Sequence, residues 1–188
     1  MTRIISGQFG GRRIAAPAGA HTRPTSDRVR EALFNSLATM TELSGARFAD
    51  LYAGSGAVGL EALSRGAAQV LLVESDARAA RTIRDNIAAL RVGGDVRLIT
   101  AKVAVALAAP PPEAAGYDVV FADPPYAVGD EELRTVLDAL VTGCWLAPDA
   151  VVVVERSARG PALTWVEGVT ARRGRRYGET MLWYGRRS

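Results

Sequence analysis

Lysine, histidine and cysteine are almost missing from this chain. Its 188 residues include one of each: Lys102, His21 and Cys144. A lone cysteine excludes an internal disulfide framework and agrees with a reducing compartment. One histidine and one cysteine also exclude the usual His/Cys zinc site, so no metal is expected. No apolar run approaches the ~20 residues needed to cross a bilayer. The opening Met1-Thr2-Arg3-Ile4-Ile5-Ser6-Gly7 lacks the long apolar core of a secretion signal. The expectation is a cytoplasmic protein with no membrane partner. With 48% hydrophobic and 23% charged residues, the chain matches an ordinary globular protein, long enough to bury a sizeable core.

Arginine takes the place of lysine, and its distribution is uneven. Residues 1–30 hold six Arg against one Asp, and residues 156–188 hold eight Arg against two Glu. Between them, residues 31–155 carry nine basic and seventeen acidic side chains. A compositional bias accounts for Arg over Lys but not for this segregation. Two basic ends around an acidic body point to contact with a polyanion, nucleic acid above all.

The start of the chain, Arg3-Ile4-Ile5 and then Arg12-Arg13-Ile14-Ala15 around Gly7, Gly10 and Gly11, predicts a small basic hairpin. A Pro/Gly/Ala loop follows. Thr25, Ser26 and Asp27 then offer caps for a helix whose buried stripe is Val29, Ala32, Leu33, Ser36, Leu37 and Met40. Arg28, Arg30 and Glu31 are placed off that stripe. From Arg47 onward, strands and helices alternate. Strands are expected over 48–53, 70–73, 96–99, 117–122 and 150–154, and helices over 57–65, after Asp76, after 100 and from Asp130. Such alternation predicts a parallel sheet covered by helices on both faces. The basic, aromatic stretch Val169–Trp183 is expected to add antiparallel edge strands. Cys144 is expected to be a small buried residue. Trp145, Trp165 and Trp183 are expected in core or edge packing, and His21 has no evident role.

Two motifs carry chemistry. Gly54-Ser55-Gly56-Ala57-Val58-Gly59 fits G-x-G-x-x-G between a strand and a helix. Its first glycines turn the backbone sharply and leave room for a ligand at the strand tip. Glu74, with Ser75 beside it, ends the next strand, where a carboxylate can hold both hydroxyls of a ribose. These features alone suit a nicotinamide dinucleotide and S-adenosylmethionine equally well. The second motif, Asp123-Pro124-Pro125-Tyr126, follows the apolar strand Tyr117–Ala122. Two prolines stiffen the chain and remove two backbone donors, so the Pro124 carbonyl has no N–H on the next residue to meet. A carboxylate, a rigid carbonyl and an aromatic face are held together, a set able to grip a planar base by its exocyclic amino group.

Asp123-Pro124-Pro125-Tyr126 resembles the motif of methyltransferases that modify amino nitrogens of nucleic-acid bases. The wider string Asp50-Leu51-Tyr52-Ala53-Gly54-Ser55-Gly56 is similar to the first motif of S-adenosylmethionine-dependent methyltransferases. Together with Arg3-Ile4-Ile5-Ser6-Gly7, Gly10-Gly11-Arg12, the run from Thr22 to Asn35 and the closing Tyr177-Gly178-Glu179-Thr180, these strings resemble the bacterial RsmD family over nearly the whole chain. That family methylates the exocyclic N2 of a guanine in 16S ribosomal RNA. The resemblance implies an α/β fold, Rossmann-like and of methyltransferase class I. Its seven-stranded, mostly parallel sheet would have an antiparallel last strand. A small hairpin extension over 1–24 would precede a methyltransferase domain over 25–188.

The resemblance further implies S-adenosylmethionine as cofactor, held by Asp50, Tyr52, Gly54, Ser55, Gly56, Glu74, Ser75 and Asp123, with Asp50 facing the methionine amino group directly or through water. Asp123, Pro124, Pro125 and Tyr126 would act on the base. Phosphates would meet Arg3, Arg12, Arg13, Arg23, Arg28, Arg30, Arg175 and Arg176, with Arg172 and Arg173. The partner would be 16S ribosomal RNA within a small-subunit particle.

Two residues depart from the family pattern. Lys102 stands where many relatives place an acidic residue near the adenine. Asp rather than Asn opens the Pro-Pro-Tyr motif, which by itself suits adenine-N6 enzymes, so guanine follows from the N-terminal match. Besides an adenine-N6 methyltransferase, a nicotinamide-dependent oxidoreductase and a non-catalytic RNA-binding module are the competing readings.

Overall fold

The computed structural model describes residues 2–18 and 26–188. The strands β1 (Thr2–Arg3) and β2 (Arg13–Ile14) form the predicted antiparallel hairpin. Helix α1 spans Asp27–Ala38, and the Ser26 hydroxyl caps it by accepting the Val29 N–H. Then come β3 (Arg47–Asp50), α2 (Ala57–Ser64), β4 (Gln69–Glu74), α3 (Ala77–Leu90), β5 (Val96–Thr100) and α4 (Val103–Leu107). The chain closes with β6 (Tyr117–Ala122), α5 (Asp130–Thr142), β7 (Leu146–Ser157), β8 (Val169–Tyr177) and β9 (Thr180–Arg187). Asp76 starts α3 by accepting the Ala79 N–H at 2.8 Å.

Seven strands make one sheet in the order β5-β4-β3-β6-β7-β9-β8, parallel through β7, with β9 antiparallel to both β7 and β8. This is the Rossmann-like class I methyltransferase sheet. Its central strands are apolar on both sides, as Val119–Ala122 and Val151–Val154 show, because helices cover both faces. Leu33, Phe34 and Leu37 of α1, Leu60 and Leu63 of α2, and Ile83 and Leu90 of α3 pack on one face. Val103 and Leu107 of α4 and Leu133, Val136, Leu137 and Leu140 of α5 pack on the other. Ile4 and Ile14 of the hairpin are buried in the first of these cores. The hairpin therefore shares the packing of the sheet, and the predicted boundary near residue 24 falls outside the described residues.

Several expectations shift. The first sheet strand ends at Asp50 rather than at residue 53, because the turn into Gly54 and Gly56 (φ +58° and +82°) begins there. The last predicted strand runs on to Arg187 and inserts between β7 and β8, so of these two only β8 lies at an edge of the sheet. Leu182 and Tyr184 of β9 are fully buried, as an inner strand requires, whereas β8 carries Arg172, Arg173, Arg175 and Arg176. Charge on an edge strand deters pairing with other chains. Cys144 is exposed, not buried, on a left-handed turn (φ +60°) after α5. Trp145 beside it is wholly buried and stacks on Tyr117, with ring centroids 5.9 Å apart. No described helix is long and apolar enough to cross a membrane.

Candidate active site at the carboxyl edge of the sheet

The chain leaves β3 for β4 and β5 on one side and returns as β6 on the other, creating a switch point between β3 and β6. Ligands of open α/β sheets bind at such a point. Asp50 pairs in register with Phe121, and the Leu51 N–H donates to the Phe121 carbonyl at 2.9 Å. The glycine turn therefore springs from one strand and Asp123 from its immediate neighbour, on one edge of the sheet. Adjacent strands lie only about 4.8 Å apart.

Gly54 and Gly59 have different duties. A Cβ on Gly54 would meet nothing within 4 Å, so this position borders open space. On Gly59 it would come within 2.3 Å of a Leu72 methyl and 2.9 Å of Val70, so the third glycine serves helix–strand packing. Glu74 braces the loop: one carboxylate oxygen accepts the Gly54 N–H at 2.7 Å and the other the Asp76 N–H at 2.9 Å. Each oxygen keeps a lone pair for a hydroxyl, so bracing and ligand contact are compatible. Ser75 is exposed beyond it, Ser55 is half-buried, and Tyr52 packs partly buried against the second core. Burial first, then Glu132, pushes the Tyr52 hydroxyl up to about 12.

Asp50 is buried beneath this loop. One of its oxygens accepts the Gly59 N–H at 3.2 Å, and the other has no hydrogen-bond partner among the described residues. Burial raises its pKa to about 7, against the pull of the Gly59 N–H and with a further push from Glu74. An unmatched buried carboxylate oxygen beside an open glycine turn fits a ligand carrying a cationic amino group, as S-adenosylmethionine does.

At the second tip, Asp123 is half-buried, Pro124 is buried, and Pro125 and Tyr126 are exposed, with Tyr126 81% accessible. The turn after the prolines is closed by the Pro125 carbonyl, which accepts the Val128 N–H at 2.9 Å. Sequence reasoning missed Arg156 on β7. Its guanidinium donates to the Val128 carbonyl at 3.0 Å and to Asp130 at 3.2 Å, tying the Asp-Pro-Pro-Tyr loop to the sheet. The available signal was a single basic residue two positions beyond the apolar run ending at Val154.

Three buried polar residues that hold the hairpin were missed too. Glu61, wholly buried on α2, accepts the Ile5 and Ser6 N–H groups at 2.8 and 3.1 Å and pairs with Arg65 at 2.8 Å. The Ser64 hydroxyl accepts the Phe9 N–H at 2.9 Å and donates to the Ser6 carbonyl at 2.6 Å. Asn86 on α3 is the third. Glu61 and Ser64, one helical turn apart in an otherwise apolar helix, were the legible clue.

The arginines divide. Arg3, Arg12, Arg13, Arg28, Arg172, Arg175 and Arg176 are exposed, and Arg23 lies outside the described residues. Arg173 is half-buried, its guanidinium 5.8 Å above the Tyr184 ring and donating to the Thr39 hydroxyl at 3.1 Å. Arg30 is not a phosphate contact. It is 1% exposed and donates to the Arg3 carbonyl and to Asp27. Its Nε lies 3.7 Å from Glu61, and burial, despite Glu61 and Asp27, lowers its pKa. The reason is helical spacing: position 30 precedes Leu33, Phe34 and Leu37 by three, four and seven residues and so shares their face.

The family model described as conserved hypothetical protein 95 matches residues 2–186. The chain is 40% identical over 153 residues to ribosomal RNA small subunit methyltransferase D of Escherichia coli K12, covering 81% of this chain and 73% of that one. It is 33% identical over 162 residues to the protein of the same name from Haemophilus influenzae, covering 86% and 82%. Among solved structures, the Escherichia coli protein yhhF superposes with a TM-score of 0.83 at 35% identity, covering 100% of this chain and 98% of that one. A hypothetical protein of Thermus thermophilus gives 0.77 at 31% identity, covering 98% of both.

Proposed function

This chain belongs to the RsmD family of S-adenosylmethionine-dependent small-subunit ribosomal RNA methyltransferases, and from that premise we propose that it methylates the exocyclic N2 of a guanine in 16S ribosomal RNA. One observation carries the reading: the glycine turn and the Asp-Pro-Pro-Tyr tip rise from neighbouring strands at one switch point, with Asp50 and Phe121 in register. Asp50, Gly54, Ser55, Gly56 and Glu74 would hold the cofactor, with Tyr52 and Ser75 flanking. S-adenosylmethionine supplies an electrophilic methyl group and keeps the departing electron pair on sulfur, so no covalent enzyme intermediate is needed.

The chain's task is to prepare the nucleophile. The lone pair of a guanine amino group is delocalised into its ring. Hydrogen bonds from the two amino hydrogens to Asp123 and the Pro124 carbonyl favour a more pyramidal nitrogen, and Asp123 can take up the proton released on methylation. Tyr126 offers an exposed ring on which the base stacks. Placement supplies the largest share of the acceleration, for which proximity is worth about 7–11 kcal/mol. A base stacked within a helix cannot reach this slot, so the target nucleotide is unpaired or flipped out. The substrate we propose is the small-subunit particle rather than free RNA. The test supplies labelled methyl donor to particles lacking the modification and maps the label. Label on guanine N2 is expected; label on adenine N6 would overturn the choice of base.

Cofactor binding carries a pH signature. Asp50 must be ionised to face a cationic amino group, and its pKa in the free protein is raised to about 7. Binding lowers that pKa and releases a proton. Between pH 7 and 5, affinity therefore falls by up to about tenfold per unit. Asp50→Asn flattens this dependence, as calorimetric titrations across that range will record.

Association with RNA is salt-dependent. Exposed Arg13, Arg28, Arg175 and Arg176 position phosphates without reading sequence. Replacing Arg175 and Arg176 together with alanine should reduce the slope of log K against log salt by roughly 1–2 units. Filter binding over a potassium chloride series measures it, and an unchanged slope would remove β8 from the interface.

A further inference from the structure

Asn86 lies on α3, far along the chain from both motifs, yet it is 2% exposed and every polar hydrogen of its amide is used. Its Oδ1 accepts the Ala15 N–H at 2.8 Å. Its Nδ2 donates to the Ala15 carbonyl at 2.9 Å and to the Ser55 carbonyl at 3.0 Å. Ala15 is the residue directly after β2 of the basic hairpin, and Ser55 sits between the two glycines of the cofactor turn. One buried amide thus spans two segments that are forty residues apart in the chain. Three residues further along α3, the Ala89 carbonyl accepts from the Arg12 guanidinium at 2.7 Å, a second tie between hairpin and helix.

We propose that Asn86 is a positioning residue that couples RNA docking on the hairpin to the geometry of the cofactor turn. This rests on the methyltransferase reading above. The Ser55 turn has glycines on both sides and little stiffness of its own. Where phosphates hold Arg12 and Arg13, Ala15 is held with them, and through Asn86 so is the Ser55 carbonyl. A turn ordered in advance loses less conformational entropy when the cofactor binds, so the second ligand binds more tightly. The effect is reciprocal: cofactor strengthens RNA binding by the same factor. Isolated cofactor molecules are then held weakly and gripped when substrate is present.

Equilibrium dialysis with radiolabelled S-adenosylhomocysteine, which cannot react, tests this on the full chain with and without unmodified small-subunit particles. The wild type should bind the labelled nucleoside at least about fivefold more tightly when particles are present. Asn86→Asp keeps the acceptor for the Ala15 N–H but sets a carboxylate oxygen against two carbonyls, so affinity drops and the particle effect disappears. Ala15→Pro removes the N–H that the Asn86 Oδ1 accepts and sets a ring carbon against that oxygen, breaking the tie to the hairpin while leaving the Nδ2 bond to the Ser55 carbonyl in place. It should bind as the wild type does without particles and lose the enhancement, a split that a merely structural role of Asn86 does not produce. An unaltered enhancement in Ala15→Pro, or none in a wild type that methylates particles, would overturn the coupling and leave the enzymatic reading intact. A wild type that binds no S-adenosylhomocysteine would sink both.

Discussion

Asp123→Ala should lower kcat for methyl transfer by about 10²–10⁴-fold, the usual worth of a group that handles a proton in the transition state, while RNA binding stays within a factor of two or so of the wild type. The separation follows from placement. Asp123 sits half-buried at the β6 tip, two residues past the position paired with Asp50, whereas the exposed arginines lie on the hairpin, α1 and β8. Single-turnover assays on unmodified particles measure the first quantity and filter binding the second. Asp123→Asn refines the outcome. An amide oxygen still accepts from the amino group but cannot take its proton, so substantial activity there assigns Asp123 to orientation rather than proton transfer. Full methylation by the alanine variant would remove the proposed mechanism, and loss of RNA binding along with activity would favour a purely binding role for this loop.

The largest effect on stability is expected at Glu61. Its carboxylate is wholly buried and serves two hairpin N–H groups and the Arg65 guanidinium, with Arg30 3.7 Å away. Glu61→Leu leaves those donors without their acceptor, Arg65 without its anion and the buried Arg30 with Asp27 alone. Removing one member of a buried charged cluster costs about 3–5 kcal/mol. At roughly 2–4 °C per kcal/mol for a chain of this size, Tm falls by about 10 °C. The loss is local in origin, so brief proteolysis should cut the variant first within residues 2–16. A variant that melts with the wild type and resists such cleavage would show that Ile4 and Ile14 alone hold the hairpin.

Much of the site was legible in the chain itself. G-x-G-x-x-G after an apolar run marks a turn, because glycine adopts φ of +58° and +82° without the strain other residues incur. Two consecutive prolines likewise dictate a rigid strand tip. The roles of charged residues were harder to read. Arg30 looked like a phosphate contact because an arginine in a basic segment ordinarily faces solvent. Glu61 provides the carboxylate it approaches, and a pairing between residues 31 positions apart has no local sign. Glu74 illustrates the same difficulty in milder form. Its position twenty residues after Gly54 suggested ligand contact, but only the structure revealed that it also braces the turn.

Local chemistry alone determined the alternation of strands and helices, the capped start of α1, the glycine turn, the proline-stiffened tip and the basic character of both ends. Each of these depends on neighbours within a few residues, through backbone sterics or helical and strand periodicity. Tertiary structure decided which tips adjoin, which strand forms the edge, and which polar side chains are enclosed. It set Asp50 beside Phe121, threaded β9 between β7 and β8, buried Arg30 against Glu61, and brought Ala15 and Ser55 onto one amide of Asn86. The physical reason is the range of the forces involved. A hydrogen bond made only once the core has closed depends on partners far along the chain, and no short window of sequence contains both of them.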